Sequence, residues 1–145
     1  MRKSRNYRQG RFKPKNIAKY KGNSGNVIYR SSWEKRIMAF FDESANVKWW
    51  NSEGLIVPYF NPIDKKMHSY FPDFVFMNKN NKVYMIEVKP YKETLPPVKK
   101  GRNYRSAAIT YVINQSKWKQ AIEFCEKQNW QFVVWTEKEM KKMGI

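Results

Sequence analysis

The chain has 145 residues, enough for one domain of ordinary size and too few for two enzyme domains. Lys and Arg number 29 against 12 Asp and Glu, a formal charge of +17, while Phe, Trp and Tyr supply 17% of the residues. So many rings beside so much charge point to a folded, polyanion-binding protein and not to a disordered basic tail, and a single cysteine (Cys125) with a single histidine (His68) excludes a Cys/His zinc site and a disulfide framework.

Residues 1–25 read as a basic arm ahead of a single domain at 26–145. Arg2, Lys3, Arg5, Arg8, Arg11, Lys13, Lys15, Lys19 and Lys21 occur there without an acid, with Tyr7, Phe12 and Tyr20 interleaved. Charges of one sign suit an arm that follows a phosphate backbone or an acidic protein surface; the plainer alternative is a solvated terminus. The body opens at Ser31-Ser32-Trp33-Glu34, a capping-box pattern that predicts a helix running to about residue 42 or 43. At about 100° per residue, Trp33, Ile37, Met38, Phe40 and Phe41 form one apolar arc, and Glu34 projects at its flank toward the core edge.

Strands are expected at 55–60, 67–71, 74–77 and 83–89, the last two joined as a hairpin by the turn residues Asn78-Lys79-Asn80-Asn81. The Pro- and Lys-rich stretch 89–105, with Pro90, Pro96, Pro97, Lys99, Lys100 and Arg102, reads as an exposed loop beside the site. A long helix over 106–127 should carry Tyr111, Gln115, Trp118, Ile122 and Cys125 on one side. A strand at 131–135 and a second capping-box pattern, Thr136-Glu137-Lys138-Glu139, complete the chain with a short helix. This order predicts an α/β (α+β) fold, a central mixed sheet flanked by helices. No apolar run approaches the roughly 18 residues of a membrane span and 1–21 holds no signal-peptide stretch, so a soluble protein of a reducing, cytoplasmic compartment is expected, without membrane contact.

The 74–89 hairpin carries the chemistry. With its turn centred near Asn80, facing residues have numbers that sum to about 160, which sets Asp73 opposite Glu87 and Val75 opposite Met85. Glu87 and Lys89 are two apart and share the face of Val83 and Met85, so the lysine stands beside the acids. Two carboxylates at roughly 5 Å repel. A divalent cation offsets that repulsion, and Mg²⁺ takes one or two carboxylates, waters and a substrate phosphate. The lysine can orient the attacking water or stabilise charge developing on the phosphoryl group. Singly, each residue has a plainer use: Glu34 as a helix cap, Asp73 as a strand entry after Pro72, Glu87 and Lys89 as a solvated strand face. Their convergence beside a basic surface is how a metal-dependent phosphodiesterase site is assembled. His68 reads as a packed or hydrogen-bonded structural residue, the tryptophans as mostly buried, with Trp49-Trp50 the pair least readily placed inside, and Cys125 as a small hydrophobe.

Phe71-Pro72-Asp73-Phe74 followed by Ile86-Glu87-Val88-Lys89, with helical Glu34 upstream, resembles the PD-(D/E)XK nuclease signature. The wider string resembles TnsA-like endonucleases and, more closely, the head completion nucleases of T4-like tailed phages: Tyr29-Arg30-Ser31-Ser32-Trp33-Glu34, Val57-Pro58-Tyr59, His68-Ser69-Tyr70-Phe71-Pro72-Asp73-Phe74 and Glu87-Val88-Lys89-Pro90. The likeness extends to Gln9-Gly10-Arg11-Phe12-Lys13-Pro14, Lys19-Tyr20-Lys21-Gly22, Trp118, Phe124, Cys125 and Thr136-Glu137-Lys138, nearly the whole chain. It implies a PD-(D/E)XK restriction-endonuclease-like core and a Mg²⁺-dependent DNA endonuclease, with Mn²⁺ as a substitute. Asp73 and Glu87 would be metal ligands, Val88 would offer its backbone carbonyl, Glu34 would be a further acid and Lys89 the motif lysine. It also implies action after DNA packaging, in the host cytoplasm and at the head or neck of the virion, with portal or neck proteins as partners. The Gln-x-x-x-Tyr motif of RecB-type relatives has no match; Asn114, Gln115 and Lys117 occupy the helix instead.

DNA is expected to be held by Arg2, Lys3, Arg5, Arg8, Arg11 and Lys13 of the arm and by Lys99, Lys100 and Arg102 of the loop, with little sequence preference because backbone contacts carry no base information. Two rival readings remain: a non-catalytic head-completion or connector protein that binds a DNA end or portal through a nuclease-like fold, and a plain nucleic-acid-binding module. The intact Asp73, Glu87 and Lys89 set argues against the first, since a pure scaffold has no need of two facing carboxylates; the second predicts stacking aromatics and a basic face without metal dependence.

Overall fold

Side-chain alternation along the strands sorts the apolar residues into two cores, one on each face of a four-stranded sheet, in a computed structural model that describes residues 9–145. The elements are β1 (Gly10–Phe12), β2 (Val27–Tyr29), α1 (Ser32–Glu43), β3 (Val47–Ser52), β4 (Val57–Asn61), β5 (Lys66–Tyr70), β6 (Phe74–Asn78), β7 (Val83–Val88), α2 (Tyr104–Gln128), β8 (Gln131–Trp135) and α3 (Glu137–Lys142). The central sheet has the order β3-β6-β7-β8. Its first two pairings are antiparallel, and β7 and β8 run parallel, joined by α2 as the crossover such a pair requires. β1-β2 and β4-β5 form separate two-stranded ribbons. The mixed sheet flanked by helices is the expected architecture.

Phe74, Phe76, Ile86, Val88 and Trp135 point to the face covered by α1 and α3, where Phe41 is the hub: its ring centroid lies 5.7 Å from Trp50, 5.4 Å from Phe74 and 5.0 Å from Phe76. Val75, Val83 and Met85 point the other way, against Val57, Tyr59 and Tyr70 of the β4-β5 ribbon and Trp118, Ala121 and Cys125 of α2. Odd-numbered positions of β6 and β7 therefore belong to the α2 side, and this assigns Asp73 and Glu87 to it.

The helix starts follow their sequence signals. At α1, Ser31 Oγ accepts the Glu34 N–H at 3.1 Å, while the Glu34 carboxylate reaches one residue further back than a reciprocal box, to the Arg30 N–H at 2.9 Å. At α3 the box is complete, with Thr136 and Glu139 each satisfying the other's backbone.

Two expectations need correction. No strand was expected at 47–52, yet β3 is the edge strand of the central sheet, and Trp50 is fully buried. A register shift between Val47 and Trp49 turns Val47 and Trp50 to the same core although they are three residues apart, which destroys the period of two that marks a strand. On α2 the buried row is Asn114, Trp118, Ala121 and Cys125; Gln115 and Ile122 face solvent. The buried and expected rows share Trp118 and Cys125 and then diverge around the helix.

Of the basic segment 1–25, the described part lies on the body. β1 pairs with β2, Phe12 and Tyr20 set ring edges against Trp50 at 5.9 and 4.7 Å, and buried Asp42 accepts the backbone N–H groups of Lys15 (2.9 Å) and Asn16 (3.0 Å). Arg2, Lys3, Arg5 and Arg8 lie outside the described residues. Among the described residues no helix is long and apolar enough to cross a membrane.

Candidate active site

The β6-β7 ladder pairs Phe74 with Ile86 and Val75 with Met85, so one step beyond it Asp73 faces Glu87, as the turn spacing predicts. Backbone and side-chain donors fix both acids. Asp73 Oδ2 accepts the Val88 N–H at 2.8 Å, and its own carbonyl accepts the Glu53 N–H at 3.2 Å. Glu87 is buried, with Oε1 accepting the Tyr70 hydroxyl at 2.5 Å and Oε2 lying 3.5 Å from Lys89 Nζ. Lys89 is held from behind by its N–H, which donates to the Trp135 carbonyl at 3.0 Å. The ends of β7 and β8 thus place the lysine, and the β4-β5 ribbon orients the glutamate.

Asp73 as a residue is half-buried, but its carboxylate is enclosed, and burial first and Glu87 second push its pKa well above the ordinary carboxylate range. The Val88 N–H works in the opposite direction, and Glu34 adds to the rise. Glu34 itself is buried on α1, and burial raises its pKa against the Arg30 N–H. Its helix packs its apolar residues on the other face of the sheet, and its charge reaches Asp73.

This donor set suits a hard divalent cation. Lys89 pairs with Glu87, no ion pair among the described residues includes Asp73, and Asp73 is disfavoured as an anion until a cation joins it. Among the described residues no three His, Cys, Asp or Glu side chains are close enough to hold one ion. The residues that would hold it are therefore Asp73 and Glu87, with the Val88 carbonyl as the expected third oxygen.

Residues 44–137, which include Asp73, Glu87 and Lys89, match the family described as the N-terminal domain of TnsA-like endonucleases. The chain belongs to the TnsA-like endonuclease family. It is similar to the head completion nuclease of Enterobacteria phage T4, 34% identical over 143 residues that cover 94% of this chain and 95% of that protein. No solved structure matches it significantly. The stretch matched to the TnsA-like family begins after α1, so Glu34 lies outside it.

In this TnsA-like chain two residues at the site carry no role from sequence. Tyr70 belongs to the string His68-Ser69-Tyr70-Phe71, but nothing in the spacing says that its hydroxyl returns to Glu87 from another ribbon. Lys117 takes no motif role in the sequence; α2 brings its ammonium to 5.8 Å from the ring centroids of both Tyr59 and Tyr70. Burial lowers its pKa, and it feels Glu87, Lys89 and Asp73. A helical i+3 step from buried Asn114 is the one signal that could have pointed to it.

The remaining candidates divide. His68 is exposed on β5, and its Nε2 lies 2.6 Å from Asp64 Oδ2, a hydrogen-bonded structural role. Cys125 is buried with its thiol pushed up to about 11, an inert core residue. Lys99, Lys100 and Arg102 are exposed in the loop after Lys89, and Arg11 and Lys13 are exposed in and after β1. That loop is pinned near its start, where the Tyr91 N–H donates to Glu137 at 2.7 Å and Lys138 Nζ sits 3.4 Å above the Tyr91 ring.

Proposed function

We propose that this chain is a Mg²⁺-dependent DNA endonuclease that hydrolyses phosphodiesters with little sequence preference during phage head completion, after DNA packaging. The observation that carries the reading is the facing pair Asp73 and Glu87 with Lys89 Nζ 3.5 Å from the glutamate. The name of the T4 relative, which aligns over 95% of its length, supports the head-completion part. Assembly in the host cytoplasm and contact with portal or neck proteins belong to the same proposal.

The bound ion would polarise the scissile phosphate and acidify a water. Everything else falls to this chain's side chains. The Val88 N–H holds Asp73, and Tyr70 holds Glu87, so both carboxylates are oriented before substrate binds. Lys89, tethered through its backbone to β8, orients the attacking water or meets the charge that develops on the phosphoryl oxygens. Arg11, Lys13, Lys99, Lys100 and Arg102 hold the flanking phosphates without reading bases.

The test is cleavage of linear, circular and branched DNA with Mg²⁺, Mn²⁺ or EDTA, by the wild type beside Asp73→Ala, Glu87→Ala and Lys89→Ala. Metal-dependent cleavage lost in all three variants, with DNA binding kept, is expected. No cleavage by the wild type with either metal, together with tight binding unaffected by the substitutions, would replace this reading with the connector one.

A further inference from the structure

Lys117 is a half-buried cation in no ion pair, with Glu87 and Asp73 acting on it only through space. It occupies the flank of α2 beside buried Trp118, its ammonium directed at the rings of Tyr59 and Tyr70. The ion pairs among the described residues are Lys15–Glu43, Arg30–Glu53, His68–Asp64 and Lys89–Glu87, and Lys117 is in none of them. Ring faces at that distance offer partial negative charge, less than a desolvated ammonium requires. A partly buried charge of this kind is retained where something else supplies the opposite sign.

The rings that hold it belong to the site. Tyr70 donates to Glu87, so Glu87 has Lys89 at its Oε2 and, beyond the Tyr70 ring at its Oε1, Lys117. The carboxylates form no ion pair with Lys117, so its ammonium keeps room for a further partner. Lys89 and Lys117 thus flank Glu87 on the α2 side of β7, one at each carboxylate oxygen. A phosphodiester, with its non-bridging oxygens, has the charge and the multiple acceptors to meet both ammonium groups. Lysine suits the task as a compact charge on a flexible four-carbon stem.

We propose that Lys117 is a catalytic residue of this site, its ammonium contacting a non-bridging oxygen of the DNA phosphodiester between α2 and the end of β7. The proposal rests on the nuclease reading above. Lys89 and Lys117 divide the work: Lys89 lies against the ligand carboxylate, and Lys117 serves the substrate alone.

Lys117→Met keeps the length of the stem and removes the charge; Lys117→Arg keeps the charge; Lys117→Gln is run beside them should the methionine variant lose its thermal transition. Binding of a short duplex is measured in EDTA across a salt series. The slope of log affinity on log salt is expected to shrink by about 0.9, one phosphate contact, in Met and Gln and to be retained in Arg. At saturating Mg²⁺, kcat should fall about 10²–10³-fold in Met and Gln, with the Mg²⁺ requirement unchanged. Unchanged slope and unchanged cleavage overturn the proposal. A raised Mg²⁺ requirement with an unchanged slope also overturns it, because Lys117 then acts on the carboxylates. If the wild type cleaves nothing, the nuclease reading fails, and the slope in EDTA decides the Lys117–phosphate contact separately.

Discussion

Tyr70 donates its hydroxyl proton to Glu87 Oε1 at 2.5 Å, so a residue at the end of the β4-β5 ribbon sets the orientation of a carboxylate on the central sheet. Burial and the glutamate both push the phenol's pKa up, which keeps it a donor throughout the working pH range. Tyr70→Phe keeps the ring and removes the donor. The Mg²⁺ concentration for half-maximal cleavage is expected to rise about 10–100-fold, and the buried carboxylate left short of a donor should cost about 1.5–3 kcal/mol of stability. Metal titration of activity and chemical denaturation check the two separately.

Asp73 predicts a pH dependence of the metal-free protein. Its folded pKa lies above the unfolded one, so the contribution to stability is fully present below the ordinary carboxylate range and is lost as pH rises through the raised value. In EDTA the protein should unfold at lower denaturant near about pH 8 than near about pH 5. Asp73→Asn should flatten that difference and gain about 1 kcal/mol near neutrality while abolishing cleavage, a trade of function for stability.

Neutralising Lys99, Lys100 and Arg102 together should weaken duplex binding equally across sequences and lower the salt slope by up to about 2.7, at about 0.9 per phosphate. Fluorescence titrations on two unrelated duplexes measure both. A loss confined to one sequence would show base reading by this loop.

Asp42→Ala tests how the N-terminal segment is held. Lys15 and Asn16 both lose their acceptor, and with charge-assisted bonds worth about 1.5–3 kcal/mol each, proteolysis within residues 13–21 should accelerate well before the rest of the chain is cut. Asp42 bonds to none of Asp73, Glu87 and Lys89, so the Mg²⁺ requirement of cleavage should stay that of the wild type, and any loss should fall on DNA binding through Arg11 and Lys13.

The hairpin register, the two helix starts and the crossover helix were legible because each rests on local chemistry: turn residues, a Ser or Thr three before a Glu, a long periodic run. β3 was hidden by its bulge, which turns Val47 and Trp50 to one side. Asp73, Glu87 and Lys89 could be placed together from one turn. Tyr70 and Lys117 could not, since both arrive at the site from elements whose relation to β7 is set by packing of Tyr59, Tyr70 and Trp118, which no spacing along the chain encodes.

The backbone of Lys89 hangs on Trp135, and Val88 pairs with the same residue in β8. During synthesis, which delivers the N-terminus first, Glu34, Asp73, Glu87 and Lys89 all leave the ribosome before the strand that anchors the lysine exists. Along the growing chain these residues therefore precede their anchor, and Lys89 gains its backbone acceptor only once β8 docks beside β7.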